Sequence, residues 1–177
     1  MSEPSMHDLA ARLARGDEAA FAELYDACAD RLHAYLVGRL GCTETASDVM
    51  QSAFLRVVKS RRRFRAVENP VAYVFQIARN EMARSIGKRR LNKNEFPAEV
   101  LFATGTDLQS EAENAEVAAA ALARLANDER ELIELRVFVG LTFGEIAEIV
   151  GRPQATVATQ YRRAIESLRG WLTRQFR

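Results

Sequence analysis

Thirty residues near the C-terminus constrain the fold more than any others in the chain: LTFGEIAEIVGRPQATVATQYRRAIESLRG, residues 141–170. Thr142 and Glu145 have the spacing of a capping box, in which each side chain satisfies a backbone N–H that the first helical turn leaves unpaired. Phe143, Ile146, Ala147 and Val150 then recur at i, i+3, i+4 and i+7, which predicts a buried stripe. Gly151 follows directly, and a glycine there takes the left-handed conformation of a helix stop without a Cβ penalty. Pro153 opens the next helix, because its missing N–H is not needed in a first turn. A short amphipathic helix, a glycine turn and a second amphipathic helix make a helix-turn-helix pattern.

The second helix divides by angle at about 100° per residue. Val157, Tyr161, Ala164 and Leu168 share one face and are expected to pack on the first helix. Thr159, Arg162, Arg163 and Glu166 share the opposite face, with Ala155 and Thr156 at its N-terminal edge. Threonine and arginine on an outward face suit a DNA groove. Arginine forks onto guanine, threonine reaches a phosphate or a thymine methyl, and the helix N-terminus attracts phosphate. A plain helical hairpin with a solvated basic face is the alternative.

Upstream the period is helical throughout, and no alternating strand pattern appears. Asp17 is placed to cap a long helix that ends near Gly41. Its stripe carries Phe21, Leu24, Tyr25, Cys28, Leu32, Tyr35 and Leu36. A second helix is expected from about Ala46 to Ser60, with Val49, Ala53, Phe54, Val57 and Val58 inward. Residues 61–68 are basic and aperiodic and read as a loop. Asn69-Pro70 starts a third helix carrying Val71, Val74, Phe75, Ile77, Ala78 and Met82, fading around Gly87. Residues 91–110 hold Pro, Gly, Asn and Thr without sustained period and read as an interdomain linker. Ser110 and Glu113 form a second potential capping box, opening a helix to about Leu125. Asn127 or Asp128 is expected to cap the next helix, with Leu132, Ile133, Leu135 and Val139 inward and Gly140 at its end. The expected fold is all-α. Two small helical domains, 1–90 and 111–177, are joined by a flexible linker, 91–110, and the second contains the helix-turn-helix.

Net charge is only +1, but its distribution is uneven. Residues 56–93 carry twelve basic side chains against two acidic, and residues 152–177 carry six arginines against Glu166. Acidic stretches flank the first block. Two basic blocks suggest two contact surfaces for a polyanion. No apolar run approaches the roughly 20 residues of a bilayer span, so no membrane insertion is expected. Met1-Ser2-Glu3-Pro4 lacks the features of a secretory leader. The two cysteines, Cys28 and Cys42, fit a reducing cytoplasm. The two histidines, His7 and His33, do not assemble with them into a metal-ligand set, and Cys28 sits on an apolar stripe. No catalytic triad, phosphate-binding loop or dinucleotide fingerprint is present, so neither an enzyme nor a metal or other cofactor is expected.

The chain resembles the extracytoplasmic function (ECF) group of sigma factors, the smallest members of the sigma-70 family. Residues from about 16 to 90 are similar to sigma region 2: GDEAAFAELYDACADRLHAYL, then DVMQSAFLRVVKS, then NPVAYVFQIARNEMARSIGKRR. Residues from about 120 to 172 are similar to region 4: LARLANDERELIELRVFVGLTFGEIAEIVGRPQATVATQYRRAIESLR. The resemblance implies a transcription initiation factor that binds RNA polymerase core enzyme and two promoter elements and helps melt DNA, with no active site of its own. It implies that Asp48, Gln51 and Leu55, pointing away from the core, dock on the polymerase's largest subunit. It implies promoter melting and downstream-element contacts at Arg61, Arg62, Arg63, Phe64, Arg65, Arg79 and Asn80, with Lys88, Arg89 and Arg90 on duplex phosphates. Phe75 falls on the inward stripe and reads as core, and Tyr73 stands where the family commonly has Trp. Upstream-element contacts are implied at Thr156, Thr159, Gln160, Arg162 and Arg163. Ala158-Thr159-Gln160 departs from the more usual Lys-Ser-Arg, which weakens phosphate anchoring at this helix. An anti-sigma partner holds many similar proteins inactive, and the resemblance extends to such a partner. A DNA-binding regulator with a sensor domain at residues 1–90 is the competing reading. It has no need of the outward Asp48, Gln51 and Leu55 row beside so basic a block.

Overall fold

The computed structural model describes residues 6–91 and 117–175, which form helices and turns with no strand among them. They belong to two compact units, Met1–Pro97 and Ala98–Arg177. No helix among the described residues is long and apolar enough to cross a membrane.

The first unit comprises α1 (Met6–Arg15), α2 (Glu18–Leu40), α3 (Thr43–Lys59), a 3-10 segment (Arg61–Ala66) and α4 (Pro70–Leu91). Asp17 caps α2 as expected, its carboxylate accepting from the Ala19 and Ala20 N–H groups at 3.0 and 3.3 Å. Gly41 stops α2 at φ 68°. Asn69 caps α4 by accepting from the N–H groups of Val71 and Ala72 at 2.9 and 3.1 Å. Helix α4 runs one turn past the expected fade at Gly87, to Leu91.

Helix α1 has no counterpart in the sequence reading. Ten residues alone make a marginal helix in water; here packing holds it. Leu9, Ala10, Leu13 and Ala14 are buried, and α1 packs against the 3-10 segment and α2. Arg12 crosses to Asp17 and Glu23 at 3.0 and 2.7 Å. The core between α2, α3 and α4 holds Leu24, Leu32, Leu36, Ala53, Val57, Val74 and Phe75, all excluded from solvent.

Some expected inward residues are not inward. Tyr25 is 46% exposed and Val58 43%, while Phe21 and Phe54 are half-buried. Adjacent apolar residues lie about 100° apart on a helix. Once Leu24 and Val57 take the centre of the interface, Tyr25 and Val58 turn toward its rim.

The second unit comprises residues 117–122 (α5), α6 (Asn127–Ile133) continuing into a π turn (Glu134–Phe138), α7 (Phe143–Val150) and α8 (Gln154–Gln175). Of the linker expected at 91–110, Leu91 instead ends α4; the rest of that segment and the capping box at Ser110–Glu113 lie outside the described residues. Helix α6 is not capped by Asn127 or Asp128. Ala126 holds the extended cap position, at ψ 149°, and Glu129 reaches back to its N–H at 3.3 Å. The π turn closes where the Val139 N–H donates to the Glu134 carbonyl at 3.2 Å. One extra residue per turn shifts the face that follows. Val139 stays buried, while Val137 and Phe138 reach solvent. Leu122, Leu125, Ile133 and Ala164 form a core cluster, with Tyr161, Ile165 and Leu168 packed against it.

Candidate protein-docking and nucleic-acid interfaces

Helix α3 presents two grooves, one on each side. Toward α2, Tyr25, Phe54, Leu55 and Val58 give apolar lining, with Asp48 and Gln51 among the polar groups at the edge. Tyr25 and Phe54 stack at a tilt, ring centroids 4.9 Å apart. The His33 Nε2 lies 3.3 Å from the Ser47 Oγ, joining the two helices. Asp48, Gln51 and Leu55 are all exposed, and Leu55 keeps 56% of its surface in water. A large aliphatic side chain left that open beside two exposed aromatic and aliphatic neighbours costs hydration free energy that a partner would recover.

Toward α4, the groove is basic. Arg56, Lys59, Arg63 and Arg84 line it with Tyr73 and Asn80. Glu81 is its one carboxylate and is shared, pairing with the Arg56 guanidinium and with Arg84 at 2.5 Å. Four cations against one anion leave the groove net positive, and a positive concave surface concentrates field on a polyanion. The Tyr73 hydroxyl lies 3.3 Å from the Ser60 Oγ. Arg56, Lys59 and Arg84 were legible in the sequence only as members of the basic block. Their convergence on one groove depends on α3 lying along α4.

The basic segment expected as a loop is a 3-10 helix, and its geometry separates its residues. Phe64 points inward, only 1% exposed, with its ring edge against Tyr73 at 5.2 Å. Phe64, expected among the promoter-melting contacts, is therefore enclosed in the core rather than presented at the surface. Residues three apart eclipse one another in a 3-10 turn, and Arg61, on the same side as Phe64 but exposed, lies along the turn at Gly16. Its Nε would lie 3.2 Å from a Cβ at Gly16, which sits at φ +86°. Any side chain at Gly16 would strain the backbone and crowd Arg61. Arg61, Arg62, Arg63 and Arg65 are all exposed. On α4, Phe75 is core as expected. Arg79 is half-buried and engaged within the protein, and Asn80 is exposed. Lys88, Arg89 and Arg90 fall on the last turn of α4, and their side chains lie outside the described residues.

In the second unit, Thr142 and Glu145 form the expected capping box. The Thr142 Oγ1 accepts from the Glu145 N–H at 3.3 Å, and the Glu145 carboxylate accepts from the Thr142 N–H at 2.7 Å. Gly151 ends α7 at φ 67°. Of the expected α7 stripe only Ile146 is fully buried, joined by Ile149; Phe143, Ala147 and Val150 are half-buried. Phe143 meets Tyr161 of α8 edge-on at 5.3 Å. The Pro153 carbonyl accepts from Thr156 and Val157, so the proline sits just ahead of α8. Val157 and Ala164 are sealed against the unit, while Thr156, Thr159, Arg162 and Arg163 are exposed. Thr159 donates its hydroxyl to the Ala155 carbonyl at 2.8 Å, which leaves its oxygen lone pairs outward. Gln160 sits on the flank, half-buried, its Oε1 accepting from Arg152 at 3.1 Å. Arg152 also pairs with Asp128, a link between residues far apart in sequence that no local pattern reveals.

Among the described residues no group of three or more His, Cys, Asp or Glu could hold a metal ion. Cys28 donates its thiol hydrogen to the Leu24 carbonyl at 3.1 Å and is buried. Burial pushes its pKa up to about 11.

Two helical units, one with a basic groove beside an apolar docking groove and the other with a helix-turn-helix, define a two-part DNA-associated factor. The sigma-70 region 2 family matches residues 24–91, and the sigma-70 region 4 family matches residues 115–168. Over 160 residues the chain is 30% identical to the ECF RNA polymerase sigma factor RpoE of Cereibacter sphaeroides, covering 86% of each. It is 29% identical over 169 residues to the ECF RNA polymerase sigma factor BldN of Streptomyces coelicolor, covering 92% of this chain and 64% of that one. The fold is shared with the sigma factor RpoE of Bartonella quintana, solved with the anti-sigma factor NepR. Its TM-score is 0.65 at 23% identity, over 80% of this chain and 89% of that one. The chain belongs to the ECF sigma factors of the sigma-70 family.

Proposed function

We propose that this chain directs promoter-specific transcription initiation by tying RNA polymerase core enzyme to promoter DNA, as a regulatory factor rather than an enzyme, in the cytoplasm and on the nucleoid when bound to polymerase. The carrying observation is the arrangement around α3: an exposed row of Asp48, Gln51 and Leu55 on one side, and a basic groove on the other. A factor that must hold a protein and a polyanion together needs two such surfaces on one rigid element.

In this reading residues 1–90 dock on the polymerase and help melt DNA, residues 91–110 link, and residues 111–177 read the upstream element. Asp48, Gln51 and Leu55 meet the polymerase. Arg62, Arg63, Arg65 and Asn80 follow the backbone of the separated strand, with Lys59 and Arg84 beside them. Lys88, Arg89 and Arg90 meet duplex phosphates. Arg61, exposed beside Arg62 and Arg63, joins their strand contact while lying along the α1–α2 turn, and Arg79 acts from within the fold. Thr156, Thr159, Arg162 and Arg163 enter the upstream groove. Two modest DNA contacts on one tether gain through effective concentration once both hang on one polymerase. Because the solved relative from Bartonella quintana carries an anti-sigma factor, an anti-sigma partner is proposed here as well.

In vitro transcription with purified core polymerase on genomic fragments, with start-site mapping, tests the reading. Discrete start sites that depend on the added chain support it. Failure to associate with core, or association without any directed start, overturns it.

A further inference from the structure

The Arg152 side chain ties together three parts of the second unit. It stands in the turn between α7 and α8, pairs with Asp128 in the first turn of α6, and donates to the Gln160 Oε1 on α8 at 3.1 Å. A guanidinium has donors only and no acceptor. The amide atom facing Arg152 must therefore be the oxygen, and the NH2 group must be turned away from it. Asp128 fixes the guanidinium from its other side, so Gln160 cannot flip its amide without breaking a charge-assisted bond.

We propose that Arg152 is a positioning residue that makes Gln160 a hydrogen-bond donor to DNA. The proposal rests on the reading of α8 as the upstream-element helix, and it deepens that reading. A free glutamine reads adenine with both ends of its amide, oxygen to N6–H and nitrogen to N7. With its oxygen committed to Arg152, Gln160 selects an acceptor instead. In the major groove that acceptor is guanine O6 or N7, thymine O4, or adenine N7, where the second bond to N6–H that makes adenine the preferred base is lost; on the backbone it is a phosphate oxygen. Its helical neighbours at i−4 and i+3, Thr156 and Arg163, are exposed on the same flank, which puts the amide at the border of the DNA-facing surface.

The test uses the full chain bound to core polymerase and duplex DNA with a randomised upstream segment, selected and sequenced. Gln160→Ala first identifies the base position that depends on this side chain. At that position the wild-type protein enriches guanine or thymine over adenine. Arg152→Met, which keeps length and packing but donates nothing, raises adenine there by about fivefold or more. Gln160→Glu keeps the Arg152 bond but replaces the outward donor by an acceptor, and shifts the position to cytosine, whose N4–H donates. If the acceptor is a phosphate, Gln160→Ala weakens all sequences alike. A methylphosphonate at one backbone position then weakens the wild type but not that variant, which supports the donor role with the backbone as its target. Thermal melting of Gln160→Glu at the wild-type temperature shows that any shift is not an unfolding effect.

The proposal is overturned if the wild type prefers adenine at that position and Arg152→Met leaves the preference unchanged. It is also overturned if Gln160→Ala matches the wild type in both selection and methylphosphonate sensitivity. If Arg162→Ala and Arg163→Ala also leave selection unchanged, the assignment of α8 to DNA fails with it; if they alter selection, only the role of Gln160 falls.

Discussion

Leu55 and Val57 are two residues apart on α3 and separate docking from folding. Val57 is sealed in the core at 0% exposure, whereas Leu55 is 56% exposed. Truncating Leu55 to alanine leaves the folded state nearly untouched, within about 0.5 kcal/mol, as at other surface sites. What it removes is area available to a partner. Fully burying a leucine is worth roughly 1.5–3 kcal/mol. With 56% of Leu55 still exposed, the share left for polymerase to cover is roughly 0.8–1.7 kcal/mol, about a 4- to 17-fold loss in affinity. Val57→Ala shows the reverse pattern. It deletes two buried methyl groups and costs about 2 kcal/mol of stability, with core affinity per folded molecule retained. Both variants are measured by thermal melting and by anisotropy titration of labelled protein with core polymerase. The reasoning fails if Leu55→Ala binds core as the wild type does, or if its affinity falls only in step with its melting temperature.

Four further outcomes are expected. Phe64→Ala lowers stability in denaturant unfolding by about 3–5 kcal/mol, whereas Phe64→Leu retains single-stranded promoter binding; a selective loss of strand binding in the leucine variant would place Phe64 at the DNA contact instead. Arg163→Ala weakens upstream-element binding by about 1–3 kcal/mol in a duplex titration; unchanged transcription from the chain's own promoter counts against that contact. Cys28, with its thiol pushed up to about 11 by burial, stays unlabelled by a thiol reagent at pH 8 in the native protein and reacts after unfolding; rapid native labelling of both cysteines contradicts its placement in the core. Asp17 is held below its ordinary value of 3.8, first by the Arg12 hydrogen bond and then by the Ala20 N–H. A carboxyl depressed in the folded state contributes stability above its unfolded pKa and loses it as pH falls through the folded one. Asp17→Asn should therefore flatten the acid limb of a stability-versus-pH curve below about pH 4, followed by circular dichroism, and an unchanged limb refutes the link.

Much of the fold could be read locally because helix ends are local chemistry. Asp17, Asn69, the Thr142–Glu145 pair, Gly41 and Gly151 act through hydrogen bonds or backbone angles within a few residues, and each stands where expected. The outward placement of Leu55, Arg162 and Arg163 follows from period alone. Two of the misses share one cause. Helix α1 has few local signals and exists because the 3-10 segment and α2 receive it. Phe64 lies in a basic, aperiodic stretch, and nothing nearby in sequence indicates that Tyr73 and the core will enclose its ring.

The sequence by itself determined the helical class, most helix boundaries, the two basic blocks and the outward faces, because these depend on period, caps and charge counted along the chain. Tertiary structure alone decided which cations share a groove, which aromatic is core and which partner each polar side chain holds. Arg56 meets Glu81 across α3 and α4, and Arg152 joins Asp128 to Gln160 across α6 and α8. Such pairings depend on how helices pack, and packing is set by the summed burial of many side chains rather than by any residue's own neighbours in sequence.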